Sequence, residues 1–199
     1  ASCITSAREN GRIVRTALTT QVWDALNTAF QELRQLEREE RSKLELSRLT
    51  DWTMRHAAML RGAIDATLLR DDGFNFLNIG YYLERGDNTA RLLDVKFHAL
   101  AGEYFGTGNG NAKESQEVDF YHWSAILRSV SGFEIYRKVY RNVIRPELVA
   151  ELLILRPDMP RSLAACVNEL VANLRLVANQ HSGETLRRAY ADARDELGR

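Results

Sequence analysis

The sequence predicts an all-α fold, an antiparallel multi-helix bundle, on three observations. The three prolines, Pro146, Pro157 and Pro160, fall in one short stretch, so the strongest helix breaker is missing elsewhere. Apolar residues recur at spacings of three and four, as in Val22, Leu26, Ala29, Phe30, Leu33 and Leu36. No segment shows the strict alternation of a half-buried strand. Taken in order, Thr20 is placed to cap the helix that carries this first stripe, and the charged run EREERSKLE after it reads as a solvated helix end or connection. A second long helix covers about 46–69. Asp71 or Asp72 can cap the next, which bears Phe74, Leu77, Ile79, Leu83, Ala90, Leu93, Phe97 and Leu100 and ends near Tyr104. Glycines 102, 106, 108 and 110 cluster in AGEYFGTGNGNAKESQ, where periodicity is lost, so residues 104–117 are expected to form a flexible loop. Helices over about 119–130 and 132–143 follow. Pro146, early in a helix, opens another that closes before Pro157; Ser162 starts one to about Gln180, and Ser182 starts the last.

The chain has 199 residues, which fits one domain or two intimate halves. Its 27 basic and 27 acidic side chains balance, so it lacks the clustered Lys and Arg that displace counterions from phosphates, and nucleic acid is not an expected partner. No run approaches the ~20 apolar residues of a membrane span, and SCITSAREN at the start does not resemble a signal peptide. Cys3 and Cys166 form neither a disulfide framework nor a zinc pattern; two thiols suit a reducing compartment, with the cytoplasm as the expected location. Both lie on apolar helix faces and are expected to be buried and inert. The missing Met at position 1 suggests a fragment.

A faint internal repeat appears at an offset of 163 residues, where SCITSARENGRIVR lies against ACVNELVANLRLVA and pairs Cys3 with Cys166, Asn10 with Asn173, Arg12 with Arg175 and Val14 with Val177. The expected organisation is two related helical repeats, the first truncated: residues 1–70 as its remainder and 71–199 as the second. A truncated repeat exposes apolar helix faces, so a homodimer is one way to cover them.

The segment FNFLNIGYYLERGDNTARLLDV is the most informative. At ~100° per residue, Ile79, Leu83, Gly86, Ala90, Leu93 and Phe97 share a face expected to be core, with Glu84, Asn88, Arg91 and Val95 opposite. Tyr81, Leu92 and Val95 make that second face semi-apolar, so Glu84, Asn88 and Arg91 are expected to be partly enclosed and to need partners, with Arg85 and Asp87 beside them. Three readings stay open. The row can be a polar network, Glu84 or Asp87 pairing Arg91 or an arginine such as Arg8, Arg12, Arg70 or Arg175. It can bind a polar ligand or peptide, or it can serve an enzyme with Glu84 as acid–base and Arg85 or Arg91 holding an anionic group. No catalytic residue is assigned.

Other chemistry finds little support. A di-iron bundle needs Glu-x-x-His pairs; the nearest match is Asp119-x-x-His122, which reads better as a helix start. His56, His98, His122 and His181 have no i, i+4 partner among themselves, so no metal and no cofactor is expected. There is no G-x-S-x-G elbow, and GTGNGN lacks the Lys-Ser/Thr ending and preceding strand of a phosphate loop. Trp23, Trp52, Trp123, Phe133 and Tyr136 stand at helical spacing on apolar faces and read as core.

YYLERGDNTARLLDV, preceded by LLRDDGFNFLNIG, resembles the alpha-E domain family, all-helical bacterial proteins named for a Glu-Arg motif. Glu84-Arg85 stands as that motif, followed by Asp87, Asn88, Thr89, Ala90, Arg91, Leu92, Leu93, Asp94 and Val95. Arg70 and Asp71 match the Arg-Asp that precedes it. Tyr81 replaces the family's Arg before the Tyr, removing a charge. Gly86 replaces the usual Ala, at a cost of ~1 kcal/mol in a helix interior, while allowing a neighbouring helix to come close. SCITSARENGRIVR, VWDALNTAF and SVSGFEIYRKVYRNVIRPELVAELLILRPDMPRSLAACV also resemble family sections, so the likeness covers nearly the whole chain. Members usually begin with an earlier copy of the Glu-Arg helix. The resemblance implies a partner role beside circularly permuted ATP-grasp proteins and transglutaminase-like proteases in making or modifying peptides. It implies no activity of the helical domain itself, so the expected function is a non-catalytic interaction or scaffold module that docks with an ATP-grasp-type ligase or its peptide substrate.

Overall fold

The computed structural model describes residues 2–38, 46–105, 112–141, 143–180 and 184–197. Among the described residues there are nine α-helices and no strand: α1 Ser2–Ile13, α2 Thr20–Leu36, α3 Leu46–Thr67, α4 Asp72–Phe105, α5 Ala112–Ser129, α6 Phe133–Tyr140, α7 Pro146–Ile154, α8 Leu163–Gln180 and α9 Glu184–Leu197. The all-α class follows the three-and-four spacing of the apolar residues. The chain divides into two compact units, Ala1–Phe74 and Asn75–Arg199.

In the first unit α2 is the middle element, packing against both α1 and α3. Its stripe is buried as the spacing predicts, at Val22, Leu26, Ala29 and Leu33. Ala29 and Leu33 share a core with Trp52 of α3, and Ile4, Leu36 and Leu49 close it. Helices α2 and α3 run antiparallel: the Thr19 and Thr67 hydroxyls lie 2.7 Å apart at one end, and Trp52 Nε1 donates to Glu32 Oε2 (2.8 Å) nearer the other. The cap of α2 is Thr19 rather than Thr20, since Thr19 Oγ1 accepts from Val22 N at 3.3 Å. A threonine pair leaves two candidate caps in the sequence, and the one with extended backbone (φ −69°, ψ 159°) takes the role. Arg8 joins α1 to α2: its Nε donates to Asn27 Oδ1 at 3.2 Å, and its guanidinium stacks 4.5 Å from the Phe30 ring centre. At Gly11 α1 comes close to α2; a Cβ there would stand 3.0 Å from Leu26 Cδ2 and 3.3 Å from Leu18 Cδ1.

The second unit holds the larger core. Leu93 of α4, Trp123 and Leu127 of α5, Tyr136 of α6, and Val149, Leu152 and Leu153 of α7 bury one another with Val130 and Met159. The α6–α7 connection is held by Tyr136, whose hydroxyl donates to Val143 O and accepts from Arg145 N, both at 3.0 Å. Ser162 caps α8 by accepting from Ala165 N at 2.9 Å. Helix α9 packs on α8.

The stretch 104–117 is more helical than expected. α4 continues through Phe105 and α5 begins at Ala112, leaving 106–111 outside the described residues. Ala, Lys, Glu and Gln at 112–117 are good helix formers without an apolar face, so propensity builds a helix where hydrophobic periodicity gives no signal. Ser182, expected to start the last helix, also lies outside the described residues. Cys166 is buried as expected, but Cys3 is exposed. Its side of α1 carries Ser2, Ser6 and Ala7, all exposed, so Cys3 lies off the face that Ile4 turns to the core.

Candidate functional site

The Glu-Arg segment occupies the middle of α4. Asp71 caps that helix, its Oδ1 accepting from Phe74 N at 3.1 Å, which settles the choice between Asp71 and Asp72. Arg70 turns back on the first unit, donating to Asp65 O (3.0 Å) with its guanidinium 4.2 Å from the Phe74 ring centre. Both residues therefore serve the entry into α4.

Beyond Phe74 the helix presents two different sides. Asn75, Asn78, Thr89 and Leu93 are buried, each no more than 4% exposed. With half-buried Tyr82 and Gly86 they form a row at spacings of three and four. Thr89 Oγ1 lies between the carbonyls of Arg85 (3.1 Å) and Arg161 (2.9 Å), and a Cβ on Gly86 would stand 3.5 Å from Cys166 Cβ. This is the side that holds α4 to α8 and to the turn before it.

The expected core face does not form as such. Leu83 is 61% exposed and Ala90 is exposed, while Leu93 alone of that set is deeply buried among the described residues. The buried row is carried by two asparagines and a threonine, which a hydrophobicity pattern skips. Its regular spacing, with Gly86 between Tyr82 and Thr89, is the signal that could have found it.

The motif's polar residues also differ from expectation: Glu84, Asn88 and Arg91 are exposed rather than partly enclosed, as are Asp87 and Asp94, because the neighbouring helices of the second unit take the Thr89 side. Of the pairings open in the sequence, Asp87 with Arg91 forms, at 2.7 Å across one helical turn. That bond, with the nearby Glu84 charge adding to it, holds the Arg91 guanidinium above its ordinary pKa. Arg8 and Arg12 are engaged with Glu9, and Arg175 with the Tyr190 hydroxyl. Half-buried Arg85 stacks 5.1 Å from the Tyr81 ring centre. Cys166 beneath it is pushed up in pKa by burial, which the Arg85 and Arg161 charges oppose in part, so the thiol is a protonated packing group.

A second polar centre, not visible as a motif, lies inside the first unit. Glu32 of α2 accepts at Oε2 from Trp52 Nε1 (2.8 Å) and pairs there with His56 Nε2 (2.9 Å). The Trp52 and His56 rings sit 4.6 Å apart. These bonds, foremost that from Trp52, lower the Glu32 pKa. A cleft of about 250 Å³ opens beside it, lined by Glu32, Gln35, Leu36, Arg48, Trp52 and Arg55. Trp52 and His56 stand one helical turn apart in sequence, but only the antiparallel pairing of α2 and α3 brings Glu32 to them.

Among the described residues, no group of three or more His, Cys, Asp or Glu could hold a metal ion, and no helix is long and apolar enough to cross a membrane. The model of one family, Alpha-E, described as a predicted alpha-helical domain with a conserved ER motif, matches residues 1–199. The chain belongs to the Alpha-E family. Within this Alpha-E domain the Glu84-Arg85 pair at the middle of α4 straddles the two sides of the helix, with Glu84 in solvent and Arg85 half-buried over Tyr81. No curated protein and no solved structure matches the chain.

Proposed function

We propose that this chain is a non-catalytic helical interaction module that acts with an ATP-grasp-type ligase in a bacterial peptide synthesis or modification system, docking with the ligase or its peptide substrate. The observation that carries this reading is the division of labour on α4. Thr89 and Leu93 fasten one side of the motif helix, while Glu84, Asn88, Arg91, Leu92 and Val95 stand in solvent on the other. A rigid helix presenting an open row of polar and apolar side chains suits recognition of another protein. Acid–base catalysis is served instead by an enclosed carboxyl in a cleft. The two free thiols support a reducing compartment, the cytoplasm.

The same reading takes the two units as related repeats. The 163-residue offset lays Ser2–Ile13 onto 165–176, inside α8, and lays Thr20 at the start of α2 onto 183, next to the start of α9 at Glu184. In both places the two helices pack on each other, which supports the correspondence.

The test pairs stability with association, comparing wild type and Glu84→Gln in thermal melts and in binding to an ATP-grasp-type protein encoded beside the chain. The expected result is a melting temperature unchanged within about 2 °C, because an exposed substitution moves stability by no more than ~0.5 kcal/mol, together with weakened association. No association of the wild-type chain would overturn the proposal. So would a variant whose binding falls only in step with its stability.

A further inference from the structure

The outer side of α4 is its own complement. Taken about Asn88 at ~100° per residue, Tyr81, Glu84, Leu92 and Val95 lie within ~40° of it, and Arg91 lies ~60° to the same side as Glu84. Glu84, Asn88, Arg91, Leu92 and Val95 are all exposed. At 1.5 Å per residue, Glu84 sits about 6 Å before Asn88 along the axis and Arg91 about 4.5 Å after it.

A two-fold axis through Asn88 therefore brings a second α4, running antiparallel, with its Arg91 opposite Glu84 and its Glu84 opposite Arg91. Both charge pairs form at nearly matching heights. The two Asn88 amides meet on the axis, and Leu92 and Val95 of each helix reach toward Tyr81 and Arg85 of the other. Acid and base on one side of the stripe at similar distances either side of its centre is the pattern that an isologous interface requires. It also answers the charges: Asp87 already holds Arg91 within the helix, whereas the Glu84 carboxylate stands in solvent.

We propose that the motif side of α4 pairs with the same helix of a second copy of this chain, an antiparallel dimer centred on Asn88. This rests on the reading of that side as a docking surface: the second copy covers it in the free chain, and the ligase or its peptide displaces that copy on docking. The buried polar pair at Asn88 sets the register, as a single asparagine does at a helix–helix seam, and excludes slipped pairings. One pair of short helix faces gives a weak, concentration-dependent dimer rather than an obligate one.

The experiment is sedimentation velocity on the purified chain without any ligase, with circular dichroism as the check on folding. Wild type is expected to move from monomer to dimer as concentration rises. Glu84→Arg puts cations at both 84 and 91 and Arg91→Glu puts anions at both, so each alone loses its two cross-pairs and is expected to dimerise at least about tenfold more weakly. Mixed in equal amounts they are expected to associate at close to wild-type strength, because each copy then supplies what the other lacks. In a Cys3→Ser background, Asn88→Cys is expected to form a disulfide-linked dimer under mild oxidation. A wild type that stays monomeric up to millimolar concentration overturns the proposal. So do charge variants that dimerise as wild type does, or a mixture that does not associate. With no ligase present, failure here leaves the ligase-partner reading standing, and loss of ligase binding leaves this dimer standing.

Discussion

The Thr89 hydroxyl lies 2.9 Å from the carbonyl oxygen of Arg161, so a side chain in the middle of the Glu-Arg segment fastens α4 to the turn before α8. Thr89 is 1% exposed, which makes the bond a buried one. Thr89→Val keeps the shape and removes the donor, leaving the Arg161 carbonyl to lose its partner. The expected cost is about 1–2 kcal/mol, read as a lower urea midpoint with an unchanged m-value. A variant as stable as wild type would show that the bond contributes nothing.

Gly86 and Gly11 make a contrasting pair. A Cβ on Gly86 meets Cys166 Cβ at 3.5 Å, an ordinary contact, so the close helix approach expected from its lack of a side chain is not needed there. Gly86→Ala should therefore recover most of the helix-propensity difference and stabilise by about 0.5–1 kcal/mol. At Gly11 the same substitution places the Cβ 3.0 Å from Leu26 Cδ2, so side chains must shift and the gain is expected to vanish. Chemical denaturation of both variants checks the sign of each.

What could be read from the sequence was what hydrophobic spacing alone encodes. The α2 stripe at Val22, Leu26, Ala29 and Leu33 is apolar throughout and is buried where its period places it. Helix α4 misleads because its buried row includes Asn75, Asn78 and Thr89, whereas Leu83 and Val95 face solvent, 61% and 71% exposed. Burying polar groups is possible once they are bonded, as Thr89 is to Arg161, and such partners lie far away in sequence. The motif residues themselves were legible; which of them would be inside was not. The Glu32, Trp52 and His56 group was out of reach for the same reason, since its acid and its donors belong to different helices.

That group makes stability depend on acid. Glu32 has its pKa lowered in the folded chain by the hydrogen bonds from Trp52 and His56, so the unfolded chain binds a proton more readily. Its contribution is fully present above the ordinary glutamate value of about 4.3 and is lost as pH falls through the lower folded value. The carboxylate is partly open to solvent, which keeps the effect modest. Glu32→Gln is expected to be less stable than wild type at neutral pH, with the difference shrinking as acid is added. Chemical denaturation at several pH values, followed by the emission of the three tryptophans, reports it; parallel pH profiles for the two proteins would exclude a role for the Glu32 charge.

Tyr136 offers the sharpest test of the second unit. Fully buried, its hydroxyl serves both Val143 O and Arg145 N, so one oxygen bonds two backbone groups of the α6–α7 connection. Tyr136→Phe keeps the ring in the core with Trp123 and Leu127 and removes only that oxygen, so Val143 O and Arg145 N both lose their bond to it. The expected loss is about 2–3 kcal/mol, more than a single hydrogen bond is worth. Tyr140, on the same helix, is the control. Burial first, and then the Glu151 carboxylate, push its phenol up to about 12, so it stays neutral through the working range. Because the Tyr140 hydroxyl holds no turn, Tyr140→Phe is expected to cost less than Tyr136→Phe. Equal losses in urea denaturation would mean that the connection is held by core packing rather than by the Tyr136 hydroxyl.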